Sequence, residues 1–300
     1  MILCAPADAQ QEGGILQIPL DAGAAGPATE IQRELAAGRL DAAGEKAGAL
    51  LRSQPGNYEG HYWSGMVAVA RGDHHAAIRA LRRAEALEPN PTVLKGLGLA
   101  YYLARQYRLF ELKMKEASAK DPKDFAPYYF LGRYQDENSH FPKAAEYFSK
   151  AVELNPNHFP SHYYLGYAYE AQNDLAQAEK QYQLSLELSK KSGRAFPLAY
   201  LGLARLRVAA GDAAGAVPLA EEAVRLKSND PAVHKFLGST FLALGRDRDA
   251  IREWETTARL DPNDGQVQYQ LAQAYRKVGD SQKAEAALAR FKRINAAYGN

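Results

Sequence analysis

The sequence predicts an all-α solenoid of about eight helix-turn-helix units, and three observations carry that expectation. Prolines recur at Pro55, Pro89, Pro122 and Pro156 with spacings of 34, 33 and 34, and Pro262 falls in the same phase. Leu-Gly pairs recur in step at Leu97-Gly98, Leu131-Gly132, Leu165-Gly166 and Leu237-Gly238, with Leu203-Ala204 and Leu271-Ala272 as variants. Twelve residues on comes another small residue, at Ala144, Ala178, Ala216, Ala250 and Ala284, and Ala77 stands in the same relation to Gly65. A fixed period of this length marks a stack of similar units, each burying its apolar face on the next.

Within a unit the first helix carries apolar residues at helical spacing, such as Leu94, Leu97 and Tyr101, or Tyr128, Leu131 and Tyr134. It stops at Gly72-Asp73, Gly211-Asp212, Gly279-Asp280 or Asn173-Asp174, where Gly or Asn suits the left-handed residue past a helix end and Asp caps the next helix. The second helix closes near proline, and Asn90-Pro91 or Asp230-Pro231 opens the following unit with a cap and a first-turn proline. Gly or Ala at the closest point lets the two helices approach while aromatics fill the flanks.

Taken in order, residues 1–23 are poor in charge and lack helical periodicity, which predicts a disordered leader. Ala7-Asp8-Ala9 has the small-x-small form of a signal-peptidase site, but only Met1 to Ala5 precede it as an apolar segment. An upstream signal peptide would make the protein exported; otherwise the segment is an Ala-rich tail and the protein is cytoplasmic. Cys4 lies here, and Leu3 before it argues against lipidation. Units are expected near 24–57, 58–90, 91–124, 125–158, 159–192, 197–230, 231–264 and 265–300. The first keeps only its second-helix pattern. Phe110 stands where the second helix of the third unit has its small residue, so that unit should splay. Four extra residues, 193–196, predict a hinge, and Pro218 in the second turn of a helix should bend it. The last helix, with Leu288, Phe291 and Ile294 on one side, reads as the cap of the array.

Composition narrows the function classes. Of 300 residues 46% are hydrophobic and 24% charged, with a formal charge of +2, which gives no electrostatic case for nucleic acid. The small sum hides variation: residues 91–124 hold seven basic and four acidic residues, residues 265–300 six and two, and residues 1–57 four and seven. A single cysteine excludes an internal disulfide, and no run approaches the roughly 18 apolar residues of a membrane span.

The order Tyr128, Leu131-Gly132, Ala144, Phe148, Ala151 and Pro156 resembles the tetratricopeptide repeat family, and the likeness covers most of the chain. The resemblance implies a right-handed α-solenoid whose first helices line an inner surface that holds a peptide or a partner protein. By the family pattern that lining is Tyr62, Lys95, Tyr129, Tyr163, Lys235 and Tyr269, with Leu99, Arg133, Tyr167, Arg205 and Gln273 one turn along. Tyrosine offers rigid contact area with a hydroxyl, and arginine a planar donor fork, the types that dominate binding energy at interfaces. Packing between helices accounts equally for many of the eighteen tyrosines. Chaperone-binding members of the family grip a terminal carboxylate with Lys and Asn, and Leu99 stands where such an Asn is required, so that activity is not expected.

Catalytic signals are missing from the sequence. There is no nucleophile elbow and no phosphate loop, and Gly96-x-Gly98 lacks the third glycine and preceding strand of a dinucleotide site. His74-His75 falls in a turn, Pro160 separates His158 from His162, and His61, His162 and His234 occupy an aromatic packing place, so neither metal nor cofactor is expected. Asp136-Glu137, Glu221-Glu222 and Asp247 with Asp249 read as solvated faces and caps. The expected function is therefore that of a non-catalytic scaffold for a protein or peptide partner. The alternatives are a recruiting subunit for an enzyme on another chain, or an RNA-binding helical repeat; self-association is compatible with all three.

Overall fold

The computed structural model describes residues 26–298, so the readings of residues 1–23 and Cys4 lie outside the described residues. Sixteen helices follow one another there: α1 (Pro27–Ala36), α2 (Leu40–Ser53), α3 (Tyr58–Ala70), α4 (His74–Leu87), α5 (Pro91–Leu103), α6 (Tyr107–Lys120), α7 (Ala126–Glu137) and α8 (Phe141–Leu154), then α9 (Phe159–Ala171), α10 (Leu175–Lys191), α11 (Pro197–Ala209), α12 (Ala213–Leu226), α13 (Pro231–Ala243), α14 (Asp247–Leu260), α15 (Gly265–Lys277) and α16 (Ser281–Tyr298). Each odd helix packs most closely on the even helix after it, giving eight hairpins of an all-α repeat solenoid. The chain divides into two compact units of four hairpins, one ending at Leu154 and the other starting at Asn155. None of the described helices is long and apolar enough to cross a membrane.

Each hairpin turn contains one residue in the left-handed region. At Gly72 (φ 76°), Gly211 (80°) and Gly279 (86°) glycine takes it without steric penalty, whereas Arg105 (58°), Ser139 (60°) and Asn173 (62°) adopt it despite a Cβ. After each of these glycines, and after Asn173, an aspartate follows and caps the next helix: Asp73 accepts from the Ala76 amide at 2.9 Å, and Asp212 from that of Gly215 at 2.8 Å.

The glycines of the first helices do more than allow backbones to approach. A Cβ at Gly65, Gly98, Gly132, Gly166 or Gly238 would lie 2.5–2.8 Å from Leu81, Met114, Phe148, Tyr182 or Trp254, in each case sixteen residues further on in the second helix. In these five hairpins the missing side chain is thus the socket for one large residue, and all five are fully buried. The sixth hairpin solves the contact differently: Ala204 and Ala220 stand in that relation, and Gly202 receives the ring of Tyr182 from the preceding hairpin.

Three local expectations meet the structure here. The first unit has its first helix after all: α1 opens on Pro27 and is held by Ile31, which is fully buried, with Leu35 one turn on. Phe110 does not splay its own hairpin, since α5 and α6 pack as closely as their counterparts; the sparse junction is the next one, between α6 and α7. The ring fits edge-on between Tyr102 (5.3 Å) and Tyr134 (5.5 Å), and so occupies space where α6 and α7 would otherwise meet. Pro218 is the sixth residue of α12 and exposed, and the helix continues through it to Leu226. Residues 193–196 lie within the second unit, after an α10 of 17 residues where the other second helices from α2 to α14 have 14.

Candidate partner-binding surface

The lining expected from the repeat pattern lies on the odd-numbered helices, and most of it is already engaged within the protein. In the first unit Tyr62 is 2% exposed, edge-on to Trp63 and pressed against Gly96 of the next first helix. Lys95, 8% exposed, places Nζ 2.5 Å from Asp124 Oδ2. The second unit repeats the device: Lys235 Nζ is 2.8 Å from Asp264 Oδ2, again 29 residues on. Each aspartate also accepts a backbone amide at the start of the following first helix, Ala126 for Asp124 and Val267 for Asp264. Its charge suits that helix end, so each lysine ties one first helix to the cap of the next.

Leu99, Tyr129 and Arg133 come together. They border an apolar cleft between α5 and α7, floored by Phe110 and Met114 of α6 and widened by the sparse α6–α7 junction. Tyr102, Phe130 and Glu137 complete its wall. Arg133 donates to the Tyr129 hydroxyl (3.3 Å) and lies 3.9 Å from Glu137, while the Tyr102 hydroxyl donates to Glu137. Burial, with Glu137 beside it, raises the Tyr102 hydroxyl well above the ordinary tyrosine range, so it stays a donor. The result is an apolar hollow under a rim of one guanidinium, one carboxylate and one phenol. Beside it Asp136 has a buried Oδ1 without a hydrogen bond, and burial raises its carboxyl to about 7 against the pull of Arg133.

In the second unit Arg205 and Tyr167 meet. The guanidinium lies 5.5 Å from the Tyr167 ring and forks onto Glu170 through Nε (3.0 Å) and Nη2 (2.9 Å), while Nη2 also donates to the Tyr182 hydroxyl. Tyr182 donates in turn to Glu170 at 2.5 Å, which closes a charged network between α9, α10 and α11. Tyr163 is buried against Tyr182, with ring centroids 5.5 Å apart. Tyr269 is 45% exposed with its ring 5.3 Å from Phe291, and Gln273 is exposed.

Of the expected lining, then, Tyr62, Lys95, Leu99, Tyr129 and Tyr163 are buried, Arg133, Tyr167, Arg205 and Lys235 are half-buried, and Tyr269 and Gln273 are open. The sequence alone did not single out Tyr102 and Phe130, and it placed Glu137 on a solvated face rather than on the rim of a cleft. A signal was present: Tyr102 and Phe130 each adjoin a pattern tyrosine, and an aromatic pair on a first helix offers one ring to the core and one to its flank. The histidines are held as clips. His61, His162 and His234 each bond the carbonyl six residues earlier, those of Pro55, Pro156 and Ser228 at 3.3, 2.9 and 3.0 Å. Among the described residues no group of three His, Cys, Asp or Glu side chains is arranged to hold a metal ion.

The periodicity seen in the hairpins is matched by a known repeat. The sequence pattern described as Tetratricopeptide repeat matches residues 29–90, 64–125 and 129–193, and further patterns of the same description match 207–268 and 265–298. The chain belongs to the tetratricopeptide repeat family. It is 25% identical over 186 residues to Tetratricopeptide repeat protein 37 of Xenopus laevis, covering 59% of this chain and 12% of that one, so it spans about an eighth of that relative's length. Among solved structures it resembles the anaphase-promoting-complex hetero-tetramer Cut9-Hcn1, with 17% identity, 76% of this chain and 45% of that one covered and a TM-score of 0.68. Yeast Tom70 gives 16% identity, coverage of 96% and 67%, and a TM-score of 0.61. A monomeric mutant of IFIT1 with Gppp-AAAA gives 17% identity, coverage of 96% and 76%, and a TM-score of 0.61. At these identities the likeness is one of fold.

Proposed function

We propose that this tetratricopeptide repeat protein is a non-catalytic scaffold that binds a peptide or partner protein on its first-helix face. The repeats and their stacked hairpins support an interaction role, and the α5–α7 cleft supports its location in the first unit. That cleft is the observation that carries the reading: its apolar floor of Phe110 and Met114 has an open volume of about 20 Å³, enough for the tip of one apolar side chain, while Arg133 and Glu137 on the rim can orient an extended chain through its polar groups. In the second unit Tyr269 and Gln273 are open on the first helix of the last hairpin. A formal charge of +2 favours protein over nucleic acid as the partner.

The test replaces residues of the cleft wall without emptying the core. Phe130→Ala and Arg133→Glu should keep the helical circular-dichroism spectrum and weaken capture of partners from a lysate of the native organism, read by mass spectrometry. Unchanged capture by both variants would reject the cleft as the site.

A further inference from the structure

Gln268 occupies on α15 the place that His162 holds on α9 and His234 on α13. Each histidine is bonded on both ring nitrogens, one to a loop carbonyl and the other to a side chain nineteen residues on: Gln181 for His162 at 2.8 Å, and Glu253 for His234 at 2.7 Å. In the last hairpin that second position is Ala287, too short to reach. Gln268 is 2% exposed and its Oε1 is buried without a hydrogen-bond partner. A buried acceptor left unpaired in this way is destabilising, and its retention calls for an explanation.

The same truncation opens a cleft of about 350 Å³ between α14, α15 and α16. It lies on a different face of α15 from Tyr269 and Gln273 and so is separate from the first-helix surface. Gln268, Leu271, Tyr275 and Ala287 form the buried floor. On the rim Glu255 is already engaged: it accepts from the Tyr275 hydroxyl at 2.5 Å and lies 3.5 Å from Lys283 Nζ. Two guanidiniums remain. Among the described residues Arg259 donates to the Thr256 hydroxyl at 3.3 Å, and neither it nor Arg290 has a carboxylate partner there.

We propose that this cleft binds an acidic peptide segment, with a carboxylate received by Arg259 and Arg290 and a backbone N–H of the segment donated to the unpaired Oε1 of Gln268. Two cations without a carboxylate supply the charge complement, and the planar guanidinium suits a two-oxygen acceptor. The peptide, rather than a free anion, follows from the exposure of the rim: an ion pair in water adds little by itself, so flanking residues of the ligand must gain contact with Leu271, Ala258 and Ala286.

The test uses a fluorescein-labelled peptide of alternating Glu and Leu and follows its anisotropy on titration with the full chain at low salt. Arg290→Ala should weaken binding about fivefold, the loss of one rim ion pair. The pair Gln268→His with Ala287→Gln rebuilds the clip of the other hairpins; it should abolish binding while the melting temperature holds or rises. A peptide with Gln for Glu should not bind, and free glutarate should displace the probe better than equimolar inorganic phosphate. Unaltered affinity in both Arg290→Ala and the double variant, equal binding of the Gln peptide, or stronger displacement by phosphate would overturn the proposal. Phe130→Ala, in the other unit, should leave this binding unchanged, which separates it from the first-helix site.

Discussion

A Cβ placed on Gly132 would lie 2.7 Å from two ring carbons of Phe148, sixteen residues away on the facing helix. The ring is fully buried, has no room to withdraw, and packs beside Tyr129 at a centroid distance of 6.1 Å. Gly132→Ala should therefore destabilise the protein by about 2 to 3 kcal/mol through overpacking. Gly48→Ala should act in the opposite sense. Its Cβ would meet only the end of the flexible Arg52 side chain at 3.3 Å, in the interior of α2, where alanine is favoured by about 0.5 to 1 kcal/mol. Thermal melts of the two variants beside the parent check both signs.

Three turns carry a side chain in the left-handed region, and in two of them it is not the asparagine that tolerates it best. Arg105 (φ 58°) and Ser139 (φ 60°) stand where the other turns have Gly72 or Gly279. Arg105→Gly and Ser139→Gly should each raise stability by about 1 kcal/mol, the usual cost of a Cβ in the left-handed region. A fall in melting temperature for both would contradict this account of the turns.

Two lysine-aspartate ties differ in burial and should differ in worth. The Lys95 and Asp124 side chains are 10% and 14% exposed, those of Lys235 and Asp264 25% and 17%. Lys95→Ala strands a carboxylate in a drier place, with an expected loss of about 2 to 3 kcal/mol. Lys235→Ala should lose about 1 kcal/mol, because water screens the charge left behind. Equal losses would show that burial does not set the strength of these contacts.

Asp136 makes stability depend on pH. Burial raises its carboxyl in the folded protein to about 7 from an ordinary value of 3.8, and its position in the last turn of α7 adds the unfavourable end of the helix dipole. Between those two values the unfolded chain has lost the proton that the folded one keeps. Its contribution is thus present below about 4 and lost as pH rises towards about 7. Asp136→Asn should stabilise by about 2 kcal/mol at pH 8, less than the full shift because the side chain is partly solvated, and leave stability at pH 4 nearly unchanged. His158 works in the opposite direction. Burial, assisted by Arg194, lowers it to about 4 from 6.5, so the stability it favours is present above 6.5 and lost as pH falls to 4. His158→Gln should flatten that acid limb alone, and melts across pH 4 to 8 distinguish the two residues.

The hairpins were legible because their contacts sit at constant separations along the chain. Twelve residues from Gly132 to Ala144 mark the small-residue contact between helices, and sixteen to Phe148 mark the ring that the glycine admits. The surface was less legible. Lys95 and Arg205 have the chemistry of binding residues, but their partners, Asp124 and Glu170, lie 29 and 35 residues away in neighbouring hairpins. Nothing in the local pattern of α5 or α11 distinguishes a cation that is already paired from one open to a ligand.

The sequence by itself determined the repeat, every hairpin but the first, most turns and caps, and the small-residue contacts, since each depends on residues within one period and on backbone geometry that is the same everywhere. Only the tertiary structure decided which side chains remain open. Phe110 loosens the α6–α7 junction and Ala287 leaves Gln268 unpaired because both effects arise where consecutive hairpins pack, through volumes and hydrogen-bond reach that a periodic pattern does not encode.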